Sequence, residues 1–513
     1  MGRGIHDLAV VGSAFGGSLM AMIARRLGRS VVLIERGRHP RFAIGESSTP
    51  VANLLLEQLA RRYDLPRILP LTKWGTWQRT YPEIACGRKR GFSFYHHESG
   101  CPWVPREDRS RELLVAASPS DEIADTHWYR PDFDHWFQRE AVDLGVEYSD
   151  ATDLQEVTRE SEGMRLTGVR EGTPVEFRAR WVIDASGPRG FLARTLALPE
   201  STWASYPNTS ALYSHFEGVA RWEDLHPGAT APPYPPDDAA LHHVFDGGWI
   251  WVLRFNNGLT SAGVSASAEL ASELRLSEGE AGWRRLMERL PAVAQQFASA
   301  RAVRDFTWIP QMPWRCSVAA GDRWALLPSA AGFVDPLLST GFPLTLLGIE
   351  RLAGLLERGT VPEPSGLKAY STETLADLDA AAALIGALHR NLGRPELFQS
   401  LSMLYFAAAI FSETVRRLGR PGDAAGFLMR GRTSFATEVA EVVRLANQPE
   451  PNVTRVRAAV SRALDPINLA GLDRSDRRNW YPVDVSDLYA AAAKIPATRE
   501  ELAAMLRSCG FAG

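Results

Sequence analysis

Asp7-Leu8-Ala9-Val10-Val11-Gly12-Ser13-Ala14-Phe15-Gly16-Gly17 is the stretch on which the reading of this chain turns. A short apolar run that closes on a glycine has the composition of a buried strand and a tight turn. The residues that follow predict a helix through about Leu27, and Ser30-Val31-Val32-Leu33-Ile34 predicts a second strand ending at Glu35. Strand, glycine turn, helix, strand and acid in this order make a βαβ dinucleotide-binding fingerprint. Gly12 allows the turn, and Gly17 lets helix and strand pack closely. The helix start at Ala14 and Phe15 faces a diphosphate, and Glu35 accepts from a ribose hydroxyl. Ala14 stands where a second glycine is usual, so the approach to phosphate is narrower by one methyl group. Arg36, next to the acid, joins the same expected set.

Around this unit the composition is that of a globular enzyme. The chain has 513 residues, 45% hydrophobic and 23% charged, with a formal net charge of -3. That is ample for more than one lobe, and a nearly balanced charge gives no reason to expect nucleic acid or an anionic membrane as partner. Cys86, Cys101, Cys316 and Cys509 are too scattered for a zinc knuckle or a redox pair. No signal peptide precedes the first strand, and the most apolar stretch, 325–349, is interrupted by Asp335. A cytoplasmic enzyme acting on a small molecule, without a metal site, is the expectation.

Further along, Pro40–Pro50 is a polar turn holding Glu46 and Ser47 before a helix Val51–Tyr63. Cys86–His97 starts basic and ends in alternating aromatic and small residues, as a strand entering a sheet would, and Lys89 is the lysine to watch in it. As an isolated feature it reads more readily as a solvated strand end. His127–Phe137, with Arg130, leads a helix to about Leu144, and Asp184-Ala185-Ser186-Gly187 repeats the strand-to-glycine turn. Between 201 and 318 the pattern alternates, most clearly in a hairpin from Gly248 to Ser265 around Asn256-Asn257-Gly258. Pro227–Pro236 is a proline-rich extended loop.

Trp324–Asp335, with Ser329, is another strand and glycine turn. It delivers the chain to Pro336–Pro343, where Ser339 or Thr340 caps a helix running to Leu356. A helix start attracts anions, because its first N–H groups lack partners. From 361 onward the periodicity is helical over Leu375–Leu392, Leu397–Arg417, Phe435–Ala446 and Val453–Leu464. The fold class is therefore α/β. A discontinuous nucleotide-binding domain covers 1–75, 128–200 and 319–360, an antiparallel β-sheet substrate lobe covers 76–127 and 201–318, and a helical region covers 361–513.

In this order the motifs resemble the flavin-dependent halogenases, a branch of the FAD-dependent monooxygenases, over roughly residues 5–360. The resemblance implies the glutathione-reductase type of FAD fold, with FAD held by Gly12, Ala14, Phe15, Gly17, Glu35, Arg36, Glu46, Ser47, Arg130, Asp184, Ser329 and Gly341. It implies that Lys89 is the catalytic lysine and that Ser339, Thr340 and Gly341 form a halide loop for chloride or bromide. Phe94, Trp249 and Trp251 fall on the substrate side of the flavin. Leu338 replaces the glutamate of tryptophan-type members, which places the chain nearer the phenol and pyrrole type.

Two motifs depart from the family pattern. The Trp-x-Trp-x-Ile-Pro signature ends here in Leu253-Arg254, and the Gly-Asp-Ala motif before the halide loop reads Pro328-Ser329-Ala330. No second nucleotide fingerprint is present, so reduced FAD is expected from a separate flavin reductase. Phe92, Phe94, Tyr95 and Trp103 favour a flat aromatic substrate, free or bound to a carrier protein, with His96, His97 and Glu98 as candidate bases. The alternative is a flavin monooxygenase that oxidises a small molecule without halogenation. A flavoprotein that has lost turnover is a third reading.

Overall fold

Leu8–Val11 form the middle of an eight-stranded sheet, and the fold is built outward from them. In the computed structural model the strand His6–Val11 runs parallel to Val31–Ile34 on one side and to Thr173–Asp184 on the other. Glu147–Ser149 and Trp324–Leu326 extend the parallel set. Parallel strands covered on both faces read as unbroken apolar runs, which is what Leu8–Val11, Val31–Ile34 and Trp181–Ile183 are. The helix Phe15–Arg26 leaves the first strand through Gly12, whose φ of +99° suits glycine alone. A Cβ on Gly17 would lie 1.9 Å from the Gly12 carbonyl oxygen, so helix and turn meet this closely only because residue 17 is glycine.

The structure describes residues 4–204, 206–228 and 230–511. Ala229 of the proline-rich loop and the outermost residues of the first and last domain spans lie outside them.

The second sheet has nine strands. Its centre is the hairpin Gly248–Arg254 and Thr260–Ser267, closed at Gly258 with φ +82°. Two features differ from the sequence reading. Gly91–His96 pairs in parallel with Ala240–Phe245, and Glu112–Ala116 pairs in parallel with Trp480–Tyr481, so the sheet is mixed and takes a strand from the C-terminal region. The single strand expected over Cys86–His97 is broken at Arg90, whose N–H is captured by the Asp238 carbonyl at 2.6 Å. Cys86–Lys89 instead forms a two-stranded ribbon with Asp125–Trp128.

The C-terminal helices run Pro364–Arg390, Pro395–Arg417, Thr433–Ala446 and Val453–Leu464. The first begins well before the expected Leu375, because proline is tolerated in a helix's first turn. They join one continuous apolar core with the nucleotide sheet. A separate core containing Tyr95, Trp103, Trp222 and Trp283 covers the far face of the second sheet. In the helix Gly341–Leu356, Leu346, Ile349, Leu352 and Leu356 are fully buried. Each such side chain contributes about 1.5–3 kcal/mol, which anchors the turn at its start. Among the described residues no helix is long and apolar enough to cross a membrane.

Candidate active site

A cavity of about 340 Å³ runs from the first βα turn to the start of the helix Gly341–Leu356. At its nucleotide end the walls are Ala14–Gly17, Arg41 and Arg130. Arg130 is fixed by Asp134 four residues on, which accepts from Nε at 2.9 Å and Nη2 at 2.8 Å; Asp134 also accepts from the Phe15 N–H at 3.1 Å. Glu35 is buried behind this end. It accepts from the backbone N–H and hydroxyl of Ser13, both at 3.0 Å, from the Gly37 N–H and from Arg41. Burial opposes its ionisation, but Arg41 and the two backbone donors outweigh that cost and hold its carboxyl down at about 2.

Midway along the wall the turn before the helix Pro50–Arg62 is stitched to the Asp125–Trp128 strand, the Trp128 N–H donating to the Glu46 carbonyl and the Ser48 N–H to that of Thr126. Thr49 caps the helix by accepting from the Ala52 N–H at 3.2 Å. One oxygen of Glu46 lies 2.9 Å from His215 Nε2, and the other is buried on the cavity wall without a partner among the described residues.

At the far end Leu338 and Ser339 both have positive φ, 63° and 55°, an unusual pair for residues with side chains. Asp335 holds the turn. It accepts from the Leu337 N–H and the Ser265 hydroxyl, both at 2.8 Å, and His389 Nε2 lies 3.1 Å from it. Thr340 occupies the N-cap position, but its side chain makes no capping bond, contrary to the capped start expected from sequence. The first amides of the helix therefore have neither an intrahelical acceptor nor a side-chain cap, and Pro343 has no N–H to offer. Among the described residues a Cβ placed on Gly341 would meet no heavy atom within 4 Å, so the space beside this residue is open.

Lys89 is fully buried and is not on the cavity wall; it stands one layer behind it. Its Nζ donates to the Ser47 hydroxyl at 2.8 Å, to the Ser48 carbonyl at 2.5 Å and towards the Ser339 hydroxyl at 3.4 Å. Ser47 and Ser339 both line the cavity, so two hydroxyls link the ammonium group to it. The Phe92 ring centroid lies 3.9 Å from Nζ. Burial pushes the Lys89 pKa well below the ordinary lysine range, and Asp125, across the ribbon, pulls it back up.

The facing wall is aromatic. Trp249 and Trp251 are both buried and both line the cavity, with ring centroids 5.7 Å apart. His242, whose ring centroid lies 5.2 Å from that of Trp249, also lines the cavity, and its burial holds its pKa down at about 3 and keeps it neutral. Phe94 stacks on the hidden side of His242 at 4.4 Å and does not reach the cavity.

The two departures from the family pattern have structural reasons. Arg254 donates to buried Asp237 at 3.0 Å and to the Val219 carbonyl, which ties the hairpin to the loop beside it. Pro328 opens a short helix Pro328–Ala331 and packs where a Cβ on Gly348 would lie 2.4 Å from its ring, while Ser329 stays on the cavity wall.

Some expected residues lie elsewhere. Arg36 is exposed and off the wall. Asp184 is fully buried; its oxygens accept from the Ser186 and Leu192 N–H groups and hold the following turn. His96 and His97 do not line this cavity, and Glu98 is exposed and paired with Arg111. Sequence reasoning missed Arg41, Asp134 and His242. The i,i+4 spacing of Arg130 and Asp134 on a predicted helix was a signal for the second; the other two required the fold.

The residues fit a flavin dinucleotide: a glycine turn with no room for a side chain, two arginines at the diphosphate end, an unpartnered carboxylate oxygen midway and an apolar aromatic far wall. The family model described as tryptophan halogenase matches residues 126–396, just over half of the chain. The chain belongs to the tryptophan halogenase family. Its relatives include flavin-dependent halogenases, the group to which the motifs pointed. Over 356 residues it is 30% identical to monodechloroaminopyrrolnitrin halogenase PrnC of Pseudomonas fluorescens, covering 68% of this chain and 61% of that protein. It is 31% identical over 352 residues to tetracycline 7-halogenase of Kitasatospora aureofaciens, covering 66% of this chain and 61% of that one. The matched part thus spans under two thirds of either relative's length. The crystal structure of halogenase PltM in complex with phloroglucinol and FAD has the same fold, with a TM-score of 0.81 at 23% identity over 92% of this chain and 99% of that one.

Proposed function

We propose that this chain is an FADH2-dependent halogenase that converts chloride or bromide to hypohalous acid and passes it through Lys89 to an electron-rich aromatic acceptor, free or carrier-bound. The observation that carries the reading is a fully buried ammonium group whose hydrogen-bond partners Ser47 and Ser339 both line the 340 Å³ cavity. Arg41, Arg130 and the helix start at Ala14–Gly17 hold the diphosphate of FAD. Bound reduced FAD, supplied by a separate flavin reductase, provides with O2 the two-electron oxidation of the halide.

The remaining work falls to the protein. The amides at Thr340 and Gly341 bind halide with partial positive charge alone, leaving the ion reactive. Trp249, Trp251 and neutral His242 keep that end apolar, so that hypohalous acid is not lost to water. Lys89 either holds the oxidant by a charge-assisted hydrogen bond or, as the amine that burial favours, exchanges N–H for N–X with release of water.

Lys89→Met keeps the stem and removes the ammonium group, which makes it the test. FAD binding and NADH-driven oxygen consumption with a flavin reductase are expected to persist, while halogenated product, read from its isotope pattern, falls at least about a hundredfold. Undiminished product would remove Lys89 from the mechanism. Hydroxylation without halogenation, the alternative reading, predicts an oxygenated product that lacks a halogen isotope pattern.

A further inference from the structure

Asp335 lies on the cavity wall just before the turn that leads into the helix Gly341–Leu356, and its side chain is fully buried. Three elements from different parts of the chain meet on its carboxylate. Oδ1 accepts from the Leu337 N–H at 2.8 Å, which fixes the turn itself. Oδ2 accepts from the Ser265 hydroxyl at 2.8 Å, and Ser265 is the register partner of Trp249 in the hairpin that forms the aromatic wall. His389, in the last turn of the helix Pro364–Arg390, brings Nε2 to 3.1 Å from Oδ2.

The turn needs such a hold. Leu338 and Ser339 keep φ at 63° and 55°, and residues with side chains persist there only where their surroundings over-determine them. A helix start without a side-chain cap adds no anchor of its own. Asp335 is therefore the group that sets where the amides after Ser339 stand relative to Trp249. His389 in turn limits where the carboxylate sits. Its Nε2 is buried and makes no aligned hydrogen bond among the described residues, so the ring closes the third side of the carboxylate while Leu337 and Ser265 remain its aligned donors. Buried Tyr206 packs against the His389 ring, with centroids 5.7 Å apart, and keeps it there.

Resting on the halogenase reading, we propose that Asp335 and His389 are positioning residues for the halide. Neither is assigned contact with the ion. Together they fix the spacing between the Thr340 and Gly341 amides and the wall that carries Trp249, so the C-terminal helical layer takes part in halide binding through one imidazole. Amides held in advance present their partial charge to one ion position without reorganising, and preorganisation of this kind raises affinity. A turn released from Asp335 loses that gain, whereas the walls assigned to the FAD diphosphate, at Ala14–Gly17, Arg41 and Arg130, lie at the other end of the cavity.

The experiment uses full-length protein loaded with FAD. Chloride binding is read from chlorine-35 NMR line broadening. Bromide KM and kcat come from product formation with a flavin reductase, NADH and O2, with phenol and monochlorodimedone as acceptors, and FAD affinity is titrated separately by fluorescence. His389→Leu is expected to weaken chloride binding and raise bromide KM at least about fivefold, with kcat at saturating bromide and FAD affinity within about twofold of wild type. His389→Gln, whose side-chain amide replaces the imidazole nitrogen as a donor, is expected to restore both. Asp335→Asn, which can no longer accept from both neighbours, is expected to raise bromide KM at least about tenfold. The two His389 variants decide the question if Asp335→Asn does not fold. Unchanged chloride binding and bromide KM in folded His389→Leu overturn the proposal, and so does a loss that His389→Gln fails to reverse or that falls equally on FAD affinity. Wild type that neither broadens the chloride signal nor brominates either acceptor overturns the halogenase reading instead.

Discussion

Gly341→Ala is expected to stabilise the fold and to weaken turnover. Gly341 is the first residue of the helix that runs to Leu356, its φ is not positive, and an added Cβ would meet nothing within 4 Å. Alanine in a helix is favoured over glycine by about 0.5–1 kcal/mol, so thermal unfolding should move upward by a degree or two. The same methyl group enters the open space beside this residue, where the halide is proposed to sit. An anion at a helix start gains up to about 2 kcal/mol, so displacing it raises the halide KM by up to about thirtyfold. The assay is product formation against bromide concentration at saturating acceptor, paired with a melting curve and with oxygen consumption by the reduced enzyme, which should not change. An unchanged bromide KM in a stabilised variant would refute the placement of the halide. A destabilised variant would refute the open space itself.

Two further outcomes follow from the buried charges. The Glu35 carboxyl is depressed from 4.5 to about 2, so its contribution, about 3 kcal/mol, is present above the unfolded value and lost as pH falls through the folded one. Glu35→Gln should therefore melt lower than wild type at pH 7, and the gap should narrow steadily between about pH 4.5 and pH 2. Arg254→Ala leaves the fully buried Asp237 side chain without its cation, and urea unfolding should show a loss of about 3–5 kcal/mol with FAD affinity little changed.

What the sequence made legible was mostly local. The fingerprint around Gly12 and Gly17, the Asn-Gly hairpin and the helix after Pro343 are each written in a few neighbouring residues, and each is found where the pattern puts it. The break at Arg90 is not of that kind, because the acceptor that stops the strand, the Asp238 carbonyl, lies almost 150 residues away in sequence. Asp125 was silent for the same reason. A single acid between Ala124 and Thr126 gains meaning only when strand pairing sets it opposite Lys89. Asp184 shows the converse: a motif residue that is fully buried and accepts from backbone N–H groups holds the turn that follows it.

The strand Trp480–Tyr481, added in parallel to Glu112–Ala116, brings the last part of the chain back to the edge of the second sheet. All described wall residues of the cavity precede Leu378 or end with it, whereas the helix Pro395–Arg417 and the strand Trp480–Tyr481 supply none of them. The cavity is thereby encoded entirely ahead of the helix Pro395–Arg417. Substitutions from Pro395 onward would then alter the sheet edge and the helical layer while leaving every described wall residue of the cavity in place.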